Sequence, residues 1–136
     1  MEREGACQCG ELRLAVAGEP VRVGVCHCLS CQRRTGSSHG FNAYFRKDQV
    51  RMTGSSVQFT RAGQEGRTLT NHFCPRCGTT VCWEADAFPG TIGIAVGILA
   101  EPDFPAPQYS VWDDRMHRWM RLPEGIVHFA RNRPFS

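Results

Sequence analysis

The stretch Cys26-His27-Cys28-Leu29-Ser30-Cys31 places three thiols within six residues. This spacing lets three sulfur atoms converge on one cation. Packing in a hydrophobic core does not require cysteines to lie so close together in sequence. A zinc ion held by three protein ligands keeps a fourth position open, and this distinguishes catalytic zinc sites from closed structural ones. The stretch therefore predicts a metal site with an open coordination position.

Four other cysteines occur as two pairs with the spacing of zinc ligands. Cys7-Gln8-Cys9 is followed by Gly10, and Cys74-Pro75-Arg76-Cys77 is followed by Gly78. Two pairs supply four thiolates, which saturate a zinc ion and leave no corner for water or substrate. We therefore predict a structural zinc site formed by Cys7, Cys9, Cys74 and Cys77, and a second zinc at Cys26, Cys28 and Cys31, which makes two Zn²⁺ per chain.

The fourth ligand of the second site is left open by the sequence. It can be Cys82, a histidine, or an exchangeable water or substrate thiol. A free cysteine is often a small buried hydrophobe, which favours a core position for Cys82, on a predicted strand in which Cys82 and Trp83 face opposite ways. His27 is expected to point away from the metal. The other histidines have no partner at a metal-binding spacing, although His72 lies two residues from Cys74.

Length and composition indicate one globular domain over residues 1–136. Hydrophobic residues make up 41% and charged residues 21% of the chain, which argues against disorder. The first residues contain no apolar signal region, and the longest apolar run is about half of the ~20 residues that a membrane-spanning helix needs. A cytoplasmic protein without a membrane segment is expected, in which reduced thiols bind metal.

Alternating apolar residues and generous glycine and proline predict short strands and little helix. We expect strands at Leu12–Val16 and Val21–Val25 that form a hairpin, a strand at Phe41–Phe45, and a doubly buried strand at Ile92–Leu99. A short helical turn after Cys31 should end at Gly36, and residues 61–67 should form an exposed loop.

The formal charge of +3 does not by itself indicate a nucleic-acid protein. Seven bound thiolates would remove seven charges and two Zn²⁺ would add four, which brings the sum to zero. The basic residues are scattered singly or in pairs rather than massed in a tail. Two interpretations of Arg33 and Arg34 are equally supported: solvated surface, or a guanidinium that faces the zinc cleft and pairs with a substrate carboxylate.

The cysteine pattern, with Gly5, Gly36 and the segment Pro107–Trp112, resembles the glutathione-dependent formaldehyde-activating enzyme family, which includes centromere protein V. The resemblance extends from Gly5 to about Pro123. It implies an Mss4-like, mainly β fold of antiparallel sheets with two zinc sites. It assigns Cys7, Cys9, Cys74 and Cys77 to the structural zinc and Cys26, Cys28 and Cys31 to the catalytic one, in agreement with the division by ligand number.

Two functions follow from this resemblance and remain open. The first is a zinc-dependent carbon-sulfur lyase that acts on a thiol-aldehyde adduct, with glutathione and an aldehyde such as formaldehyde as partners and Arg33 or Arg34 holding a glutathione carboxylate. The second is a zinc-stabilised binding module without catalysis. Its partner would be a protein, or nucleic acid bound through Arg33, Arg34, Arg46, Lys47 and Arg51. The sequence does not indicate an oligomeric state.

Overall fold

The structure is a computed structural model that describes residues 1–63 and 67–133. It is mainly β, as predicted, with one α-helix in the described residues, α1 (Leu29–Thr35). The strands are β1 (Glu2–Ala6), β2 (Arg13–Ala17), β3 (Arg22–Cys26), β4 (Gly40–Arg46), β5 (Val50–Thr53), β6 (Val57–Ala62), β7 (Thr68–Phe73), β8 (Thr80–Ala85), β9 (Thr91–Ala95), β10 (Tyr109–Val111) and β11 (Val127–His128). Short 3₁₀ turns occupy Lys47–Gln49, Val96–Leu99 and Asp113–Arg115.

The strands form two sheets. A three-stranded sheet has the order β1-β2-β5, and an eight-stranded sheet has the order β11-β10-β3-β4-β9-β8-β7-β6. Pairing is antiparallel as expected, except that β10 runs parallel to both β3 and β11. The parallel pairing brings the late segment around Tyr109 alongside β3, which leads directly into Cys26.

The predicted hairpin between residues 12–16 and 21–25 is wrong. Strand β2 pairs with β1 and β5, whereas β3 pairs with β4 and β10 in the other sheet. The turn at residues 18–20 thus carries the chain from one sheet to the other. Strand β1 pairs with β2 although it lacks apolar alternation, and its buried Arg3 is paired with Glu101 at 3.3 Å.

The predicted strand at residues 92–99 is correct only in its first half. Strand β9 ends at Ala95, and Val96–Leu99 form a 3₁₀ turn whose Val96 and Leu99 are buried. Apolar content alone does not distinguish a buried strand from a buried turn. The strand at residues 41–45 is confirmed by β4, and helix α1 ends as predicted at Gly36, in the left-handed conformation at φ 66°.

The predicted loop at residues 61–67 lies partly outside the described residues. Its first two residues belong to β6, which ends at Ala62, and residues 64–66 are not described. Among the described residues, no helix combines the length and apolar character needed to cross a membrane.

The core draws on both sheets. Leu14 and Val16 of β2 are buried in the same cluster as Ala43, Phe45 and Ile94 of the eight-stranded sheet. Because side chains alternate along a strand, the opposite side of the eight-stranded sheet is free for other contacts. We call this opposite side the cleft face.

Candidate metal centres and the adjoining cleft

Four thiols meet where the loop after β1 approaches the turn between β7 and β8. The sulfur atoms of Cys7, Cys9, Cys74 and Cys77 all lie within 4.8 Å of one another. Each pair is followed by a glycine with positive φ, Gly10 at 85° and Gly78 at 79°. Glycine adopts this conformation without steric cost. These two tight turns bring the pairs together, and we call the four residues the Cys₄ cluster.

The Cys₄ cluster fits a tetrahedral metal ion. The sulfur of Cys9 lies 3.6 Å from the sulfur atoms of both Cys7 and Cys74. Four thiolates at the usual zinc–sulfur distance of about 2.3 Å stand roughly 3.8 Å apart in a tetrahedron. The backbone N–H of Leu12 donates to the Cys7 sulfur at 3.2 Å, and such donors stabilise bound thiolates.

A second group of thiols, Cys26, Cys28 and Cys31, lies at the junction of β3 and α1, and we call it the Cys₃ cluster. Its sulfur atoms also lie within 4.8 Å of one another. Cys28 caps the N-terminus of α1, since its sulfur accepts a hydrogen bond from the Cys31 N–H at 3.3 Å. Hydrogen bonds from the thiols of Cys26 and Cys31 lower the pKa of Cys28, whereas the pKa values of Cys26 and Cys31 are raised, so the negative charge of the cluster is concentrated on Cys28.

His27 points away from the Cys₃ sulfur atoms, in the direction predicted. Its ring is fully buried, and its Nε2 lies 2.9 Å from the Ser110 hydroxyl, which donates to Asp113. Asp113 also contacts His128. This polar chain fastens the loop of the Cys₃ cluster to the segment that follows β10.

Cys82 lies outside both clusters. It is completely buried, and it belongs to the core with Phe45 and Ile94. Burial raises the pKa of its thiol to about 12, which keeps it protonated. Its neighbour Trp83 lines the cleft face, so the alternation of the strand turns Cys82 to the other side of the sheet. His72 is likewise engaged elsewhere, with its Nε2 3.1 Å from Glu84.

Replacement of Cys82 by Ala should leave the metal content of the protein unchanged. The substitution removes one buried sulfur from the core, which is expected to lower the free energy of unfolding by about 1 kcal/mol. Elemental analysis and urea denaturation measure the two effects separately. Loss of a metal ion on this substitution would show that Cys82 is a ligand.

The Cys₃ cluster lies at one end of a cleft of about 630 Å³ on the cleft face of the eight-stranded sheet. A row of residues across strands β3, β4, β9 and β8 lines the floor of the cleft. Its members are partners in register: Arg22 with Tyr44, Tyr44 with Gly93, and Gly93 with Trp83. A Cβ atom on Gly93 would lie 2.1 Å from the Trp83 ring. The absence of a side chain at this position therefore lets the indole lie against the sheet.

Gly24 has the same role beneath Tyr109. A Cβ atom on Gly24 would lie 2.3 Å from the Tyr109 ring, and the two residues are partners in the parallel pair of β3 and β10. A glycine inside a strand often marks a close approach of this kind. Two aromatic rings thus form walls of the cleft.

The structure separates the two adjacent arginines of the sequence. Arg34 lines the cleft, with its guanidinium 4.3 Å from the centre of the Trp83 ring and 3.3 Å from Asn42 Oδ1. A Cβ atom on Gly40 would lie 2.8 Å from the Arg34 guanidinium, so this glycine leaves the space that the side chain occupies. Arg33 is exposed and does not belong to the described lining.

The described lining of the cleft contains seven arginines and no aspartate or glutamate. Sequence reasoning found only Arg34 among them, and it missed Arg22, Tyr109 and Arg133. The alternation of Arg22, Gly24 and Cys26 along β3 could have placed Arg22 on the cleft face. Three of the five basic residues proposed from the sequence for nucleic acid have acidic neighbours: Arg46 contacts Asp48, Lys47 contacts Glu84, and Arg51 lies 4.0 Å from Glu2.

These features define a class of small β proteins that carry a saturated thiol cluster and a second, three-thiol cluster in a basic cleft. The sequence model described as glutathione-dependent formaldehyde-activating enzyme matches residues 2–115. The chain belongs to this family. A comparison with curated proteins found no match.

A crystal structure of a Rhodobacter sphaeroides protein has a similar fold. It is 22% identical in sequence, with a TM-score of 0.58, and the match covers 93% of this chain and 98% of that one. This likeness supports the two-sheet architecture. The family match ends at residue 115, so Arg131 and Arg133, which line the cleft, come from a segment beyond it.

Proposed function

We propose that the protein forms and cleaves the carbon–sulfur bond of a thiol-aldehyde adduct, and that it acts as a carbon-sulfur lyase on S-hydroxymethylglutathione or a related adduct. One observation carries the proposal: all three thiols of the Cys₃ cluster line the cleft, whereas the described lining includes none of the Cys₄ thiols. Family membership supports glutathione and formaldehyde as the substrate pair.

In the forward direction, the thiol sulfur attacks the carbonyl carbon of the aldehyde. A carbon–sulfur bond forms, the carbonyl π bond breaks, and the resulting alkoxide takes up the proton that the thiol has released. No electrons are exchanged with a third compound, so the reaction requires no oxidant or reductant. Cleavage of the adduct follows the same steps in reverse.

The residues of the cleft favour negative charge beside the Cys₃ cluster. The pKa of Cys28 is lowered chiefly by hydrogen bonds from Cys26 and Cys31, and the positive charge of Arg61 adds to this shift, while the charge of Arg34 opposes the raised pKa of Cys31. These charges would also stabilise the thiolate form of a substrate. A Zn²⁺ ion bound by Cys26, Cys28 and Cys31 would supply further stabilisation of a thiolate and polarisation of a carbonyl.

Arg34 is placed to orient the thiol substrate. Its guanidinium is fixed by the Trp83 ring and by Asn42 Oδ1, while the remaining N–H groups can bind a carboxylate in the two-pronged manner that guanidinium allows. Arg33, on the exposed side of the same helix, has no such position.

The direct test is to mix zinc-loaded protein with glutathione and formaldehyde and to follow formation of the adduct by exchange NMR. Acceleration that scales with protein concentration is expected. A rate equal to that of buffer, with metal content verified in the same sample, would refute this substrate pair.

Replacement of Arg34 by Met should raise the KM for glutathione about 10-fold or more, since a hydrogen bond to a charged group contributes roughly 1.5–3 kcal/mol. The matched control is Arg33→Met, which removes the same charge from the same helix outside the cleft and should change KM less than about twofold. Equal effects of the two substitutions would exclude a specific contact of Arg34 with the substrate.

A further inference from the structure

Two arginines meet at the end of the cleft that lies away from the Cys₃ cluster. The guanidinium of Arg22 lies 4.2 Å from the centre of the Tyr44 ring and 5.0 Å from that of Phe88. The guanidinium of Arg133 lies 5.3 Å from the centre of the Tyr109 ring. We call Arg22 and Arg133 the distal arginine pair.

The distal arginine pair converges on the phenol of Tyr109. Burial raises the pKa of Tyr109, while the charges of Arg22 and Arg133 and a hydrogen bond from Arg22 oppose this shift. The phenol therefore stays protonated near neutral pH and can donate a hydrogen bond. Two guanidinium groups and a hydroxyl are the donors that recognise a carboxylate or a phosphate.

Nothing in the described chain neutralises this pair. Within residues 1–63 and 67–133, no aspartate or glutamate forms an ion pair with Arg22 or Arg133, whereas Arg131 in the same segment contacts Asp114 at 3.7 Å. Like charges in a low-dielectric cleft repel one another unless an anion lies between them. Two neighbouring guanidinium groups without a carboxylate partner are suited to bind an anion.

The position of the pair sets the length of the ligand. Arg22 and Cys26 lie at opposite ends of β3 on the same face of the sheet, which separates their Cα atoms by about 13 Å. Tyr109 is paired with Gly24, midway between them. A ligand whose sulfur lies at the Cys₃ cluster would therefore reach the pair with a group roughly 10 Å along its chain.

The geometry points to a second anion-binding site formed by Arg22, Arg133 and Tyr109, which selects thiols that carry a carboxylate or phosphate remote from the sulfur. This inference rests on the proposed function, because it takes the thiol to react at the Cys₃ cluster. It goes beyond the family match, which ends before Arg133. The aromatic rings at this end are covered by guanidinium groups, so they hold the arginines in place rather than offer a surface for stacking a base.

The test uses probes that bind but cannot react. S-methylglutathione, its diethyl ester and S-methyl phosphopantetheine are titrated calorimetrically into the zinc-loaded protein, because the methylated sulfur blocks adduct formation. The wild type should bind the charged probes at least about 10-fold more tightly than the ester. The stronger of the two charged probes identifies the anion as carboxylate or phosphate.

Substitutions of the distal pair should reduce this preference, and the part that remains is the contribution of Arg34. Arg22→Met and Arg133→Met are each expected to weaken binding of the preferred charged probe about 10- to 100-fold, with the ester unchanged within about twofold. The double variant should lose less than the product of the two single effects, because both arginines hold one anion. Arg33→Met is the matched control and should bind all three probes like the wild type.

Several outcomes would overturn the inference. These are a wild type that binds the ester as tightly as the charged probes, a wild type that binds no probe, and variants that lose both kinds of probe equally. The inference and the proposed function fail separately. If binding depends on the arginines but no adduct forms, the anion site is supported and the proposed reaction is refuted. If the adduct forms but Arg22→Met and Arg133→Met leave the KM for glutathione unchanged, the reaction is supported and the anion site is refuted.

Discussion

Replacement of Cys28 by Ser is expected to abolish adduct formation while the protein remains folded. The serine hydroxyl can still accept the hydrogen bond from the Cys31 N–H that begins α1, because serine is a good helix N-cap. A metal ion held by the Cys₃ cluster would, however, lose one of its three thiolate ligands. Since loss of even an outer-shell partner costs 10- to 100-fold in metal affinity or activity, we expect a loss of activity of more than about 100-fold.

The measurement is the rate of adduct formation together with zinc content. One zinc ion per chain and an unchanged unfolding transition are expected for Cys28→Ser. Cys82→Ala serves as the control, because it also removes a thiol but from the core. If Cys28→Ser retained most of the activity of the wild type, the Cys₃ cluster would not be the reacting centre.

Replacement of Cys74 by Ser is expected to unfold the protein. Cys74 is buried, and its sulfur lies 3.6 Å from that of Cys9 in the Cys₄ cluster. Structural zinc contributes about 10–16 kcal/mol of binding free energy, whereas a whole domain is stable by only about 5–15 kcal/mol. The cluster joins the end of β1 to the turn between β7 and β8, so its loss removes a link between the two sheets beside their shared core.

Circular dichroism during urea denaturation checks this result. The Cys74→Ser variant should show no cooperative transition, while Cys28→Ser should unfold at nearly the urea concentration of the wild type. A normal transition for Cys74→Ser would mean that the Cys₄ cluster does not hold the fold together.

The two thiol clusters could be predicted from the sequence because ligand spacing is a local property. Cys26, Cys28 and Cys31 lie within six consecutive residues, at the end of β3 and in the first turn of α1. Their proximity therefore follows from local structure alone. The prediction that Cys7 and Cys9 share a site with Cys74 and Cys77 used only the fact that a structural zinc ion has four ligands. Both steps depend on coordination chemistry rather than on the path of the chain.

The pairing of the strands could not be predicted in the same way. Alternation in β2 and β3 indicates that each is a strand, but it does not identify the partner of either. Strand β1 is polar, and its buried Arg3 is satisfied by distant partners: Glu101, almost a hundred residues away, and the Gly18 carbonyl. No local pattern shows such a contact.

Most of the residues that line the cleft could not be predicted from the sequence either. The sequence did not indicate which of Arg33 and Arg34 faces the cleft, because this depends on the orientation of α1 against the sheet. Arg22 could have been placed by its alternation with Cys26. Arg133 reaches the cleft because the segment after β11 lies against the end of β10, where the Trp112 N–H donates to the Arg131 carbonyl, and the sequence contains no signal for this contact.

The open position of the second metal site is the central claim, and X-ray absorption at the zinc edge tests it most directly when combined with the zinc content of the same sample. Seven thiolates shared by two zinc ions give an average between three and four sulfur ligands per zinc, and this is the expected result for the substrate-free protein. Four sulfur ligands at every zinc ion would mean that another thiol closes the second site, and one zinc ion per chain would mean that the second site does not exist. Either result would contradict the account.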